Sequence, residues 1–436
     1  KYKSKIFAML RILLFVALAL CTQALPAESP AESPAEIFNV NPENFVELPE
    51  LSEAEGNDKF TRFPTVVEMI QSYGYPVESH QVQTADGYLL TMHRIPYGRA
   101  HGAGPAPNKN VVFLQHGLLC SSADWVVIGP RDGLAYLLAD RGYDIWMGNA
   151  RGNTWSRNHT HINPDRSAFW QFSWHEIGIH DIPAMIDYVT RTTGQQRMHY
   201  VGHSQGTTSM FIMLSERPEY NDRIILAQAL APVAFMSNLR SPFIRALSPH
   251  VNAVDMWTSL LGMHEFLPSD SMMQMGGYLL CRDESWFQEV CANALFLIGG
   301  FNSEQLNRTQ LPLIMANAPA GSSSQQLVHY AQLYNSGHFR QFDHGLIGNW
   351  QQYGSFTPPD YPLDRITAPI ALHYSDNDWL AAVSDVQHLR SQLTNAEIVG
   401  LFRVPLAAFN HLDFLWAIDV APLLNLRVIS FIDRYN

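Results

Sequence analysis

Met198-His199-Tyr200-Val201-Gly202-His203-Ser204-Gln205-Gly206-Thr207-Thr208 is the stretch that decides the fold. Met198 to Val201 is a short apolar run suited to a buried strand, and Thr207 to Leu214 reads as a helix. Between them a serine stands at the apex of a sharp turn, with glycine two residues to either side. Such a turn packs tightly against its own flanks and leaves no room for β-carbons at those two positions. Outward from it, Val111 to Gln115 and Tyr143 to Met147 are further strands, and Leu134 to Asp140 and Ile182 to Thr190 are helical stretches. Alternating strands and helices predict a mostly parallel α/β sheet with helices on both faces. A hairpin, Gln81 to Thr84 and Tyr88 to Arg94 around Asp86-Gly87, opens the domain.

The alternation lapses over 235–359, a stretch rich in Met, Pro, Gln and Asn, and resumes with Ile370 to Tyr374 and Ile398 to Val404. The expected organisation is therefore an α/β core over 59–234 and 360–436, interrupted by a helical cap above the carboxyl edge of the sheet. Ahead of the core, residues 1–25 carry basic residues, then the apolar run Ile12 to Leu20, then small residues, the pattern of a cleaved secretory signal. Residues 26–58 hold nine acidic residues and a tandem Pro-Ala-Glu-Ser element, which reads as a linker. No later stretch has the length of apolar sequence that a membrane span needs, so the mature chain is expected to lack one.

With 436 residues, 47% of them hydrophobic and 16% charged, the chain can bury a sizeable core. A net charge of −12 argues against nucleic acid as a partner. Export gives the four cysteines their meaning. Cys21 leaves with the signal, Cys281 and Cys291 are spaced for a local disulfide, and Cys120 is left as a free thiol. Asn158-His159-Thr160 and Asn307-Arg308-Thr309 are glycosylation sequons that fit the same compartment.

A serine hydroxyl is a poor nucleophile until a base takes its proton, so Ser204 calls for a histidine and an orienting carboxylate later in the chain. After the strand Ile370 to Tyr374 comes Ser375-Asp376-Asn377-Asp378, and after Ile398 to Val404 comes Asn410-His411-Leu412-Asp413. His411 is the candidate base, since His388 falls in a helix and His373 inside a strand; spacing leaves Asp376 and Asp378 both open as the acid. Backbone N–H groups must hold a developing oxyanion. Gln205, directly after the serine, supplies one, and Leu118, which follows Gly117 in Gln115-His116-Gly117-Leu118-Leu119, supplies the other. The pairs His159/His161 and His175/His180 lack the spacing that places two imidazoles on one helical face, and no dinucleotide or phosphate loop is present, so neither metal nor organic cofactor is expected.

From about Pro64 onward the chain resembles the acid lipases of animals, the family of gastric lipase, lysosomal acid lipase and insect digestive lipases. The resemblance runs through Tyr73-Gly74-Tyr75-Pro76, Arg94-Ile95-Pro96-Tyr97-Gly98, Gln115 to Leu119, Asn149-Ala150-Arg151-Gly152-Asn153-Thr154-Trp155-Ser156-Arg157, Gly202 to Gly206 and Asn410 to Phe414. It implies an α/β-hydrolase fold with Ser204 as nucleophile, Asp378 as acid, His411 as base, and Leu118 and Gln205 as the oxyanion hole. It further implies a lid near Met263 to Leu297 spanning Cys281 and Cys291, a neutral lipid ester (triacylglycerol or cholesteryl ester) met at a lipid–water interface, and a secreted or lysosomal destination. The chain departs from the family at Gly299, where several vertebrate members carry a third cysteine, and in the acidic tail. Rival readings are a short-chain carboxylesterase or retinyl-ester hydrolase on the same fold and, from another class, a non-catalytic lipid-binding or storage protein.

Overall fold

The computed structural model describes residues 63–99, 104–106, 108–250, 264–267, 271–281, 285 and 288–435. The expected signal (1–25), the acidic linker (26–58) and parts of the expected lid lie outside the described residues. The fold begins with helix α1 (Val66–Ser72), whose Thr65 and Glu68 form a reciprocal capping box. Strands β1 (Glu78–Gln83) and β2 (Leu89–Ile95) pair antiparallel, with Gly87 in their turn at φ +99°. There follow β3 (Val111–Gln115), helix α2 (Leu134–Asp140), β4 (Asp144–Met147), helix α3 (Ile182–Thr193), β5 (Met198–His203), helix α4 (Gln205–Glu216) and β6 (Ile224–Leu230).

The stretch after β6 is helical. Its elements include α5 (Ser271–Cys281), α6 (Gln288–Gly299), α7 (Leu311–Asn317), α8 (Ser324–Ser336) and α9 (Gly345–Tyr353), and a two-residue ladder pairs β7 (Glu265–Phe266) with β8 (Ser322–Ser323). Helices α5 and α7 approach closely because Gly277 faces the Met315 carbonyl, where a β-carbon would stand only 2.6 Å from that oxygen. The sheet resumes with β9 (Ile370–Tyr374), helix α10 (Val383–Gln392), β10 (Ile398–Arg403) and helix α11 (Leu426–Arg434).

The eight-stranded sheet runs β1-β2-β4-β3-β5-β6-β9-β10. From β4 to β10 every neighbouring pair is parallel, and β2 meets β4 antiparallel. Strands β3, β4 and β5 are buried along their whole length, which suits their largely apolar sequence, with Gln115, Asp144, His199 and His203 buried among it; the outer strand β1 alternates instead. Strand β6 was not among the sequence expectations. Its run Ile224 to Leu230 is as apolar as the others and follows the short turn segment Pro218–Arg223. Strand order reverses between β3 and β5, so the loops leaving their carboxyl ends diverge and open a crevice, the position where such sheets place their sites.

Candidate active site

Ser204 sits on that crevice, directly after β5, with φ 53° and ψ −119°. A non-glycine residue in this region is strained by roughly 1–3 kcal/mol and persists only where its surroundings over-determine it. They do so here: Ser204 N–H donates to Leu230 O at 3.0 Å, while Thr207 N–H and the Thr207 hydroxyl donate to Ser204 O at 2.8 and 2.6 Å. A β-carbon on Gly202 would lie 2.8 Å from the Gly206 carbonyl, and one on Gly206 would run into the Gln115 carbonyl.

The Ser204 hydroxyl donates to His411 Nε2 at 2.7 Å, and His411 Nδ1–H donates to Asp378 at 2.8 Å (Oδ2) and 2.9 Å (Oδ1). Asp378 Oδ1 also accepts Leu380 N–H and Ala381 N–H at 2.8 and 2.7 Å. Burial works to raise the Asp378 pKa, but the charge and hydrogen bond of His411 and the two backbone donors outweigh it and hold the carboxyl below its ordinary value. An ionised Asp378 fixes the proton of His411 on Nδ1 and leaves Nε2 free to accept. The two carboxylates that spacing left open are thus placed apart: Asp378 faces His411, and Asp376 forms an exposed ion pair with Arg403. His373 is buried in β9 against Gln228, and His388 lies on α10 against Phe235.

Gln205 and the Gly117–Leu118 peptide both lie beside the serine. Gln205 N–H opens α4, where the first-turn N–H groups have no intrahelical acceptor and the helix dipole favours negative charge. Gly117 packs so closely that a β-carbon on it would stand 3.1 Å from Ser204 Cβ, which brings the peptide of Leu118 alongside the nucleophile. The plane of that peptide is set by its carbonyl: Gly117 O accepts His116 Nδ1–H at 2.8 Å and Cys120 N–H at 3.3 Å. His116 Nε2 in turn accepts from Ala150 N–H at 3.1 Å and from Asn153 Nδ2 at 3.2 Å, and burial pushes its pKa down to about 4, so the ring stays neutral.

A serine, an imidazole and a carboxylate in a buried hydrogen-bond chain, with two backbone donors at hand, can carry out acyl transfer. The partial alpha/beta-hydrolase lipase region matches residues 66–129, and the alpha/beta hydrolase fold matches 110–417. Lipase 3 of Drosophila melanogaster is 48% identical over 85% of this chain and 93% of its own length. Bovine gastric triacylglycerol lipase is 41% identical over 84% and 90%, and human lysosomal acid lipase/cholesteryl ester hydrolase is 38% identical over 85% and 91%. The chain belongs to the animal acid lipases. Among solved structures, a candidate lipase from Sulfolobus solfataricus superposes with a TM-score of 0.54 at 12% identity, covering 83% of this chain and 94% of its own, a likeness of fold alone.

The remaining expectations for this acid lipase fall as follows. Cys281 and Cys291 are disulfide-bonded and tie the end of α5 to α6, and Cys120 is free and buried. Asn158 is exposed, and Asn307 is partly exposed with its side-chain oxygen accepting Gln310 N–H. His159 donates to Asp86 O, and His175 meets the Tyr361 hydroxyl. Among the described residues no group of three or more His, Cys, Asp or Glu is arranged to hold a metal ion, and no helix is long and apolar enough to cross a membrane. Sequence reasoning missed His203, whose Nε2–H donates to the His411 carbonyl at 3.0 Å while burial first, and then the His411 charge, push its pKa down to about 3. It also missed His116 and Asn153 behind the oxyanion loop, although both lie inside the quoted motifs.

Proposed function

We propose that Ser204, His411 and Asp378 hydrolyse carboxylic esters of neutral lipids through an acyl-enzyme. The observation that carries this reading is the unbroken chain from Ser204 Oγ through His411 to Asp378, beside the peptides of Leu118 and Gln205. Ser204 Oγ attacks the ester carbonyl carbon as its proton passes to His411 Nε2. The oxyanion rests on Leu118 N–H and Gln205 N–H. As the tetrahedral carbonyl reforms, the carbon–oxygen bond to the alcohol breaks and His411 returns the proton to the leaving oxygen. Water then repeats the sequence: it gives its proton to His411 as its oxygen attacks the acyl carbon, and when the bond to Ser204 breaks His411 returns that proton to Ser204 Oγ, releasing the acid. No step calls for a metal or an organic cofactor.

Triacylglycerol and cholesteryl ester are the substrates this reading favours, supported by relatives named for each. We assign residues 1–25 as a secretory signal, 26–58 as a linker, 59–234 with 360–436 as the core and 235–359 as the cap, with a lid near 263–297. The Cys281–Cys291 disulfide and the exposed Asn158 sequon support export to the extracellular space or the lysosome. The test is hydrolysis of triolein, cholesteryl oleate and short p-nitrophenyl esters from pH 4 to 8 by the secreted protein and its Ser204→Ala variant, with a fluorophosphonate mapped by peptide analysis. Activity on the long-chain emulsions, abolished by the variant, with a single adduct at Ser204, is the expected result. An adduct on another serine overturns the mechanism. Turnover of the short esters alone overturns the substrate class.

A further inference from the structure

The catalytic acid and base lie on loops after different strands, β9 and β10, and neither loop alone fixes their mutual distance. The segment Gly299-Gly300-Phe301-Asn302, which leaves the carboxyl end of cap helix α6, runs between them and bonds to both. Gly299 O accepts two peptide N–H groups at once, His411 at 3.1 Å and Trp379 at 3.2 Å, the latter directly after Asp378. Gly300 O accepts Asn410 Nδ2 at 2.9 Å. Phe301 O accepts Asn377 Nδ2 at 2.7 Å, and the same amide nitrogen reaches Ala408 O at 2.9 Å. The buried Asn302 donates through Nδ2 to Asp413 Oδ2 at 2.6 Å, an oxygen that also accepts Asn410 N–H at 2.7 Å. Four consecutive strap residues thus hold the residues that flank Asp378 and His411, and the peptide of His411 itself.

Close packing leaves the strap little freedom. Gly300 has φ +117°, and a β-carbon there would collide with the Asn377 carbonyl; one on Gly299 would stand 3.3 Å from His411 Cβ and 3.1 Å from Leu412 Cγ. Helix α6 is the same helix whose Cys291 is bonded to Cys281, so the strap is continuous with a cross-linked part of the cap.

We propose that the Gly299–Asn302 strap is a positioning element of the active site, with Asn302 and Asn377 as positioning residues that act through the His411 and Asp378 loops. The inference rests on the serine-hydrolase reading of Ser204. In it the cap does more than cover the site: it supplies the third body that brings acid and base into register. A misplacement near 1 Å between catalytic groups costs up to about a hundredfold in rate, so loss of one strap bond is read as a fall in turnover.

The test compares the wild-type enzyme with Asn302→Leu, Asn302→Asp, Asn377→Ala and the double variant Asn302→Asp/Asp413→Asn. Each is assayed on a short, fully dissolved p-nitrophenyl ester for kcat and KM, for thermal midpoint, and for the rate of fluorophosphonate labelling. Asn302→Leu and Asn377→Ala are expected to lower kcat roughly tenfold with KM within twofold and the midpoint nearly unchanged. Asn302→Asp sets two carboxylates face to face and is expected to fall further at pH 7.5, to recover toward pH 5 as the pair takes up a proton, and to be rescued by Asp413→Asn. Because Asn377 is only partly buried, its variant keeps the question open to test if Asn302 variants fail to fold. Unchanged kcat in both single-site losses, or losses that track KM or the thermal midpoint, overturns the proposal. Failure of the fluorophosphonate to label Ser204 in the wild-type enzyme is a different result, which removes the underlying mechanism instead.

Discussion

Ser204 and His411 are 2.7 Å apart, yet the backbone that carries each is fixed by different means. Around Ser204 the restraint comes from the sheet: one strand, one strained turn and one helix over 198–216, held by the Ser204 N–H bond to Leu230 O of β6 and by Gly206 packed on the Gln115 carbonyl of β3. Around His411 the restraint is borrowed. Its peptide bonds to Gly299 of the cap, its neighbour Asn410 to Gly300, and Asp413 to Asn302, all more than a hundred positions away in sequence. A strained residue persists where the surrounding structure over-determines it, as the neighbouring strands do at Ser204. An acid–base pair from two strands needs alignment, which a third element can give.

The sharpest break of this comparison is at the chemistry itself. Ser204→Ala and His411→Ala should each lower kcat by roughly 10⁴-fold or more, and Asp378→Asn by less, since the carboxylate only orients and stabilises the imidazolium. Asp376→Asn, which loses only an exposed ion pair, should stay within about twofold on the same ester assay. A severe loss at Asp376 with a healthy Asp378 variant would reverse the assignment.

Next come the glycines of the two regions. Gly206→Ala drives a methyl into the Gln115 carbonyl at the elbow and should prevent folding or secretion. Gly276→Ala, in cap helix α5 with open space around it, should raise stability by about 0.5–1 kcal/mol in a denaturant titration. Equal tolerance at both positions would mean that the elbow is not held by packing.

A smaller effect is read through pH. Burial pushes His116 down to about 4 and His203 and His373 to about 3. Unfolded, each titrates near about 6.5, so the unfolded chain takes up protons that the folded core refuses. Their contribution is intact above about 6.5 and is lost progressively as pH falls toward 4 and then 3. At two buried carboxyls, Asp124 and Asp413, the sign is opposite. Burial raises Asp413 to about 7, against Asn410 and Asn302 bonds that lower it, so between about 7 and 4 the folded form holds a proton that the unfolded form has released. The thermal midpoint should therefore drop from pH 6.5 to 4, and Asp413→Asn should steepen the drop; a shallower one would contradict the sign. The smallest expected change is at Arg308 and Glu289, an exposed pair on the cap, where Glu289→Gln should move neither the midpoint nor the rate measurably.

How much of this was legible follows the same division. The turn at Ser204 with its strand and helix, the loop 116–120 and the residues proposed as acid and base all lie in short contiguous motifs that the sequence displays. Strand β6 was missed although Pro218 and Asn221-Asp222 mark a turn before it, and its place is fixed by pairing with β5 and β9. Asp376 and Asp378 could not be told apart by spacing, since the choice depends on Leu380 N–H, Ala381 N–H and His411 reaching one of them in space. Nothing in Gly299-Gly300-Phe301-Asn302 marks it in sequence, because backbone carbonyls carry four of its five bonds and a carbonyl looks the same at every residue. His116 was quoted with its motif, yet its clamp on Gly117 O appears only when Ala150 and Asn153 close around the ring.

The free cysteine bears on how the chain reaches its covalent form. Cys120, Cys281 and Cys291 permit three single-bridge pairings, of which the structure contains one. Cys120 is buried behind the oxyanion loop, and burial together with nearby Asp124 raises its thiol pKa well above the ordinary value. Thiolate, not thiol, attacks a disulfide, so in the finished fold Cys120 has neither the charge nor the access to scramble the bridge. Before the sheet closes over it, the same thiol is an ordinary competitor. With Cys120 sealed in the core, only Cys281 and Cys291 are placed to form or exchange a bridge in the folded chain.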